Sequence, residues 1–127
     1  MLPLRCEDGA LPLDSHLTRW VDLVMQASKK LDRPLSAAAK WKSTMETAGF
    51  HNVEEDIHQW PTNGWHEEKT EKAMGRLSYM NAELGLHQLT YNTVGQAYGW
   101  PVYALEELSN KALEGLRDEN IRACWQV

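Results

Sequence analysis

The run METAGFHNVEEDIHQWPTNGW, residues 45–65, is where the periodicity of this chain changes. Before Gly49 the apolar residues keep helical spacing: Ala37, Trp41, Met45 and Ala48 line one face of a helix that Ser36 caps and Gly49 closes just past its end. From Phe50 to Trp60 the period falls to two. His51, Val53, Glu55 and Ile57 share one face and Phe50, Asn52, Glu54, Asp56 and His58 the other, which predicts a strand over 50–60. Pro61-Thr62-Asn63-Gly64 is turn chemistry. A strand set among helices makes the chain α+β and mostly helical.

On the N-terminal side, Pro3, Gly9 and Pro12 predict an irregular segment over 1–13. Asp14 or Ser15 then caps a helix to about Leu31, with Leu17, Trp20, Val21, Val24, Ala27 and Leu31 on its inner face. On the C-terminal side, Glu67, Glu68 and Glu71 open a long helix, where its dipole favours them. Its apolar stripe, Ala73, Leu77, Met80 and Leu84, is expected inside, and Gly85 is expected to end it. A further helix with Leu86, Thr90 and Val94 runs to Gly99. Pro101 starts a last one with Leu105, Leu108, Ala112 and Leu116 inside, and the alternating tail Ile121, Ala123, Trp125, Val127 fits a short closing strand. The expectation is about five helices and one or two strands.

The chain has 127 residues, and the length prior gives a single domain over 1–127. Its charge of −5 is evenly spread: 7 basic residues against 9 acidic over 1–63, and 6 against 9 over 64–127. No basic stripe exists to displace counterions from a phosphate backbone, so a nucleic-acid partner is not expected. No run of about 18 apolar residues predicts a membrane span, and the opening residues lack the layout of a secretory signal. Cys6 and Cys124, near opposite ends, form no metal or redox motif and read as ordinary thiols of a cytoplasmic protein. Six tryptophans suit cores, pockets and interfaces alike.

A series of marks in fixed order resembles the C-terminal part of LaeA-like fungal class I S-adenosylmethionine-dependent methyltransferases. They are Asp8-Gly9-Ala10-Leu11, the Trp20 helix, Leu31-Asp32-Arg33-Pro34, Met45-Glu46 with Ala48-Gly49-Phe50 and Val53, Trp60-Pro61 with Asn63-Gly64-Trp65, Gly85-Leu86, and Gly99-Trp100. The family's Gly-rich cofactor turn does not occur here, and Ile121-Arg122 stands where relatives show Ile-His. The resemblance therefore implies a truncated methyltransferase C-terminal half with no methyl-donor site and no cofactor. In such a fragment the 50–60 strand loses its neighbours, and its open edges are expected to be covered by a second copy in an intertwined homodimer.

Two constellations are candidates for chemistry. His58 with Asp56 shares one face of the predicted strand, as His51 with Glu55 shares the other, and a carboxylate two residues away can orient an imidazole for acid/base work. The alternative is a pair of solvated surface contacts. Glu83 and His87 are four apart on a helix and form a second candidate proton-transfer pair. His51, His58 and His66 match no compact metal pattern. The resemblance makes the segment after the turn a cap over an acceptor substrate, with Trp65, Tyr79, Tyr91, Tyr98 and Trp100 as an aromatic wall. The alternative is that they pack the core.

Three functions follow. The first is a cofactor-independent enzyme that cyclises, isomerises or dehydrates an apolar small molecule of secondary metabolism. The second is a non-catalytic partner subunit of a methyltransferase or regulator. The third is a truncated gene product.

Overall fold

The computed structural model describes residues 4–6, 12 and 14–127, so the Asp8–Leu11 motif lies outside the described residues. Helix α1 (His16–Lys30) starts where Ser15 Oγ accepts the Thr18 N–H at 3.0 Å, and Lys29 and Lys30 sit favourably at its negative end. Its buried face carries Leu17, Trp20, Val24 and Ala27. Ser28 Oγ donates to Met25 O at 2.8 Å and accepts from Leu35 N at 3.2 Å, which fixes the turn that follows.

A 3-10 turn (Ala37–Lys40) leads into α2 (Trp41–Thr47). Gly49, at φ 97°, takes the left-handed conformation a Schellman end requires: its N–H donates to Glu46 O and that of Phe50 to Met45 O, both at 3.1 Å. The spacing placed this end correctly but not the face. No residue of α2 is buried, and Trp41 is 63% exposed.

The strand expected over 50–60 is largely absent. Residues 50–58 are irregular, with Asn52 at φ 56°, and only β2 (Gln59–Pro61) is extended in a sheet. Alternation specifies a strand where one face is buried, and here only Val53 is even half-buried before residue 61. Residues 4–6, expected to be irregular, form β1 (Leu4–Cys6), and the tail forms β3 (Ala123–Gln126) as its alternation predicts. The sheet is antiparallel in the order β1-β3-β2, with Leu4 and Trp60 both opposite Trp125. His58 extends the ladder, exchanging backbone hydrogen bonds of 2.8 and 2.9 Å with Val127. The edge that was to be sealed by a second copy is thus paired within the chain on one side, and its residues lie against α3.

Helix α3 (Lys69–Thr90) is capped by Glu68, whose carboxylate accepts from Thr70 N at 3.0 Å and Glu71 N at 2.8 Å. It runs unbroken through Gly85, against expectation, because a lone glycine within a long helix costs only about 1 kcal/mol. A π-helical turn (Tyr91–Gly95) and one last turn (Gln96–Tyr98) carry it to Gly99, at φ 66°. Helix α4 (Val102–Arg117) follows Pro101 and buries Leu105, Leu108, Ala112 and Leu116, as predicted. Helices α1 and α3 both pack on α4. Across this core the Trp20 indole N–H donates to Thr90 Oγ1 at 2.8 Å, and Thr90 Oγ1 donates in turn to Leu86 O at 2.8 Å.

The α3 stripe faces the other way from the prediction. Leu77, Met80 and Leu84 are 63%, 56% and 86% exposed, whereas Gly75, Leu86 and Thr90 are buried and Tyr79, Ala82 and Leu89 pack against the core. At Gly75 the inner face has no side chain because α3 lies very close to the 60–65 turn there. A Cβ on Gly75 would lie 1.8 Å from Asn63 O.

Candidate functional site

Trp60-Pro61-Thr62-Asn63-Gly64-Trp65 is tightly hydrogen-bonded to the rest of the fold. Ala123 O accepts from Thr62 N at 3.0 Å, Thr62 Oγ1 at 3.1 Å and the Trp65 indole N–H at 2.9 Å. Asn63 Nδ2 donates to Leu116 O at 2.7 Å and Asp118 O at 3.1 Å, and its Oδ1 accepts from Trp65 N at 3.0 Å. Thr62 and Asn63 are buried and these buried side-chain atoms are satisfied. The motif holds the closing strand and the end of α4 to the start of α3, which is work for the fold rather than for chemistry.

Of the residues singled out from the sequence, Asp56 and His58 come together. Asp56 Oδ2 lies 3.1 Å from His58 Nε2, with the side chains 86% and 64% exposed. Asp56 also lines an open groove of about 600 Å³, the roomiest of those seen, between the 3-10 turn, α2, the irregular 53–57 stretch and the ends of β1 and β3. Trp41, Met45, Ile57 and Val127 line it with apolar surface, and Glu54, Glu55, Arg5 and Lys42 line it with charge of both signs. Volume and lining suit a small, largely apolar ligand with one charged or polar end. His51 and Glu55 are both exposed, and Glu55 belongs to the same groove.

The second proton-transfer pair is arranged differently. Glu83 faces Arg117 of α4 at 3.8 Å, and His87 is half-buried one turn further along α3. The aromatic residues do not form one wall. Trp65 stacks at a tilt on His66 and shares a shallow groove with Glu67 and Arg122. Trp100 lines another with His16, Arg19 and Glu107. Tyr79 and Tyr91 pack against the core, and Tyr98 lies 4.7 Å under the Lys30 ammonium.

The groove residues that the sequence reading missed are Trp41, Met45, Ile57 and Val127, which it assigned to a buried helix face and to strands. The available signal was the acidic run Glu54-Glu55-Asp56 beside Ile57, a poor composition for a strand interior. Among the described residues no group of three or more His, Cys, Asp or Glu side chains is placed to hold a metal ion, and no helix is long and apolar enough to cross a membrane.

No family model matches the chain, and no solved structure matches it. Curated proteins do. The probable methyltransferase tdiE of Emericella nidulans is 28% identical over 125 residues, which is 98% of this chain and 39% of tdiE. The secondary metabolism regulator LAE1 of Cochliobolus heterostrophus is 29% identical over 79% of this chain and 33% of its own length. The protein-methionine methyltransferase laeA of Chaetomium globosum is 25% identical over 94% of this chain and 38% of its own length. The chain is thus a homologue of the LaeA-like and tdiE methyltransferases of fungi, with a mostly helical α+β structure that spans 28–39% of their length.

Proposed function

We propose that the chain acts in fungal secondary metabolism as a cytoplasmic, cofactor-independent enzyme that holds an apolar intermediate in the groove beside α2 and rearranges it by proton transfer at His58. The observation that supports this reading is that Asp56, which lies 3.1 Å from His58, lines the roomiest of the grooves seen. The Asp56 carboxylate 3.1 Å from His58 Nε2 favours a proton on that nitrogen, which leaves Nδ1 to take a proton from one substrate atom and return it to another. Such an isomerisation or cyclisation balances without any co-reactant. Trp41 and Met45 supply the apolar wall that selects one substrate conformer, and confinement of that kind contributes rate by orientation alone.

The test uses the chain expressed together with the genes that adjoin its own, in a host that lacks them. Product formation is expected to depend on the chain and to fall by about 100-fold or more in His58→Ala, with a smaller loss in Asp56→Asn. Depleting S-adenosylmethionine is expected to leave this step unchanged. Full activity in both variants would refute the assignment.

A second reading is favoured by one observation, the similarity of the chain to a probable methyltransferase and to a regulator of secondary metabolism. In it the chain is a non-catalytic subunit of a methyltransferase. That reading predicts co-purification with a larger methyltransferase and no dependence on His58.

A further inference from the structure

The Leu31-Asp32-Arg33-Pro34 turn plays no part in the groove chemistry, yet its backbone is closely held. Helix α1 ends in a Schellman turn: Arg33 N–H donates to Ser28 O at 2.9 Å, and Asp32, at φ 56°, stands in the left-handed position that glycine ordinarily fills. Leu35 N closes back on Ser28 Oγ at 3.2 Å, and the ring of Pro34 fixes φ between the two. The turn is thereby pinned to the end of α1, and the Arg33 backbone with it.

This turn borders a cavity of about 310 Å³. Leu31, Arg33 and Leu35 line it from the end of α1, and Asn92, Thr93 and Gln96 line it from the π-helical turn and the residue that follows. A single π-helical turn within a helix is a feature that recurs at functional sites. None of these residues belongs to the groove beside α2.

The lining defines what the cavity can hold. Leu31 and Leu35 are half-buried and supply apolar wall. Arg33 is its one charged residue, and among the described residues the guanidinium has no hydrogen bond or ion pair. Gln88 Nε2 donates to Asn92 Oδ1 at 2.9 Å, which leaves Asn92 Nδ2 as a donor, and the Gln96 amide, unpartnered among the described residues, can donate beside it. One fixed positive charge among neutral donors matches one carboxylate, which a guanidinium grips through two parallel hydrogen bonds. A phosphate dianion would keep one charge uncompensated.

We propose that this cavity is a binding site for a small monocarboxylic acid, its carboxylate on Arg33, Asn92 and Gln96 and its apolar body against Leu31 and Leu35. The site is separate from the groove, and the proposal is independent of the chemistry assigned to His58. The volume lies at the lower end of the range of about 300–1,000 Å³ usual for small-molecule sites, so the body is limited to roughly one ring and a short chain.

The probe is 3-phenylpropionate, titrated into the whole chain by calorimetry, with 3-phenylpropan-1-ol as its uncharged counterpart and inorganic phosphate as the anion without a body. Saturable binding of the acid is expected with a dissociation constant on the order of 100 micromolar, and binding at least about 10-fold weaker for the alcohol and for phosphate. Proton–nitrogen NMR should show the side-chain amides of Asn92 and Gln96 shifting with the same constant. Arg33→Gln should weaken the acid at least about 10-fold and leave the alcohol unchanged, whereas Arg19→Gln, at an exposed arginine elsewhere on α1, should keep the affinity within about 2-fold. Arg33 is exposed, and circular dichroism checks that both variants are folded. No saturable binding of the acid up to about 10 mM, equal affinity for acid and alcohol, phosphate binding as tightly as the acid, or equal losses in Arg33→Gln and Arg19→Gln would each overturn the proposal.

Discussion

Two glycines of the same helix make opposite predictions for one substitution. In a helix interior Gly→Ala ordinarily stabilises by about 0.8–1 kcal/mol, because alanine loses less backbone entropy. At Gly85 the added methyl meets nothing within 4 Å, so that gain is expected in full. At Gly75 it would sit 1.8 Å from Asn63 O, 2.6 Å from Asn63 C and 3.1 Å from Pro61 Cβ. Backbone cannot swing aside as a side chain does, so the 61–64 turn must retreat by about 1.5 Å to reach ordinary contact. That retreat stretches the three Asn63 hydrogen bonds to Leu116, Asp118 and Trp65, worth about 1 kcal/mol each. Set against the gain of about 1 kcal/mol in propensity, Gly75→Ala should destabilise by about 2 kcal/mol or more. Urea unfolding followed by tryptophan fluorescence and circular dichroism, at concentrations where the chain is monomeric, separates the two cases. If Gly75→Ala stabilised the protein as Gly85→Ala does, the close approach of α3 to the turn would be wrong, and so would the reason given for a glycine at position 75.

Thr90→Val removes the acceptor of the buried Trp20 indole while keeping its shape, and should cost about 1–3 kcal/mol in urea unfolding, with Thr90→Ser recovering most of it. Leu17→Ala, at a fully buried position, should cost about 2–5 kcal/mol in the same assay, whereas Leu77→Ala should change the monomer by less than about 0.5 kcal/mol. The Glu68 carboxyl is held below the usual carboxylate range, chiefly by the backbone N–H of Thr70 and then by that of Glu71. Its contribution is therefore present above the ordinary carboxylate pKa and lost as the pH falls through the lower, folded-state value. Stability measured across that acid range should fall less steeply in Glu68→Gln than in the unsubstituted chain.

The parts of the fold that were legible in the sequence are those fixed by local chemistry. Ser15, Gly49, Gly99 and Pro101 mark helix ends because caps and positive φ are decided within a few residues, and α1 and α4 each have one dominant apolar face. Helix α3 was misread inside out because it has two apolar sides. The larger residues, Leu77, Met80 and Leu84, attract a periodicity argument, but the side with Gly75 and Ala82 is the one that allows close packing. Periodicity finds a face and says nothing of what it faces. The strand at 50–60 failed for a related reason: alternation was present, but over 50–58 only Val53 is even half-buried, so neither face is held in place. The Asp56–His58 pair was found although the strand meant to align it is absent, since two residues of irregular chain bring the groups as near as a strand would.

The middle place of β3 in the sheet has a consequence for how the molecule is assembled. Both neighbours of that strand come from far earlier in the chain, one from near residue 5 and one from near residue 60. Helices can form in the order they are written, but neither outer ribbon has anything to zip onto until residues 123–126 arrive. Loop-closure entropy therefore defers the sheet to the last stage of folding, after the helical core has set. Amide exchange on a refolding time course should register Trp60 and Leu4 as latecomers together, protected only when Trp125 is.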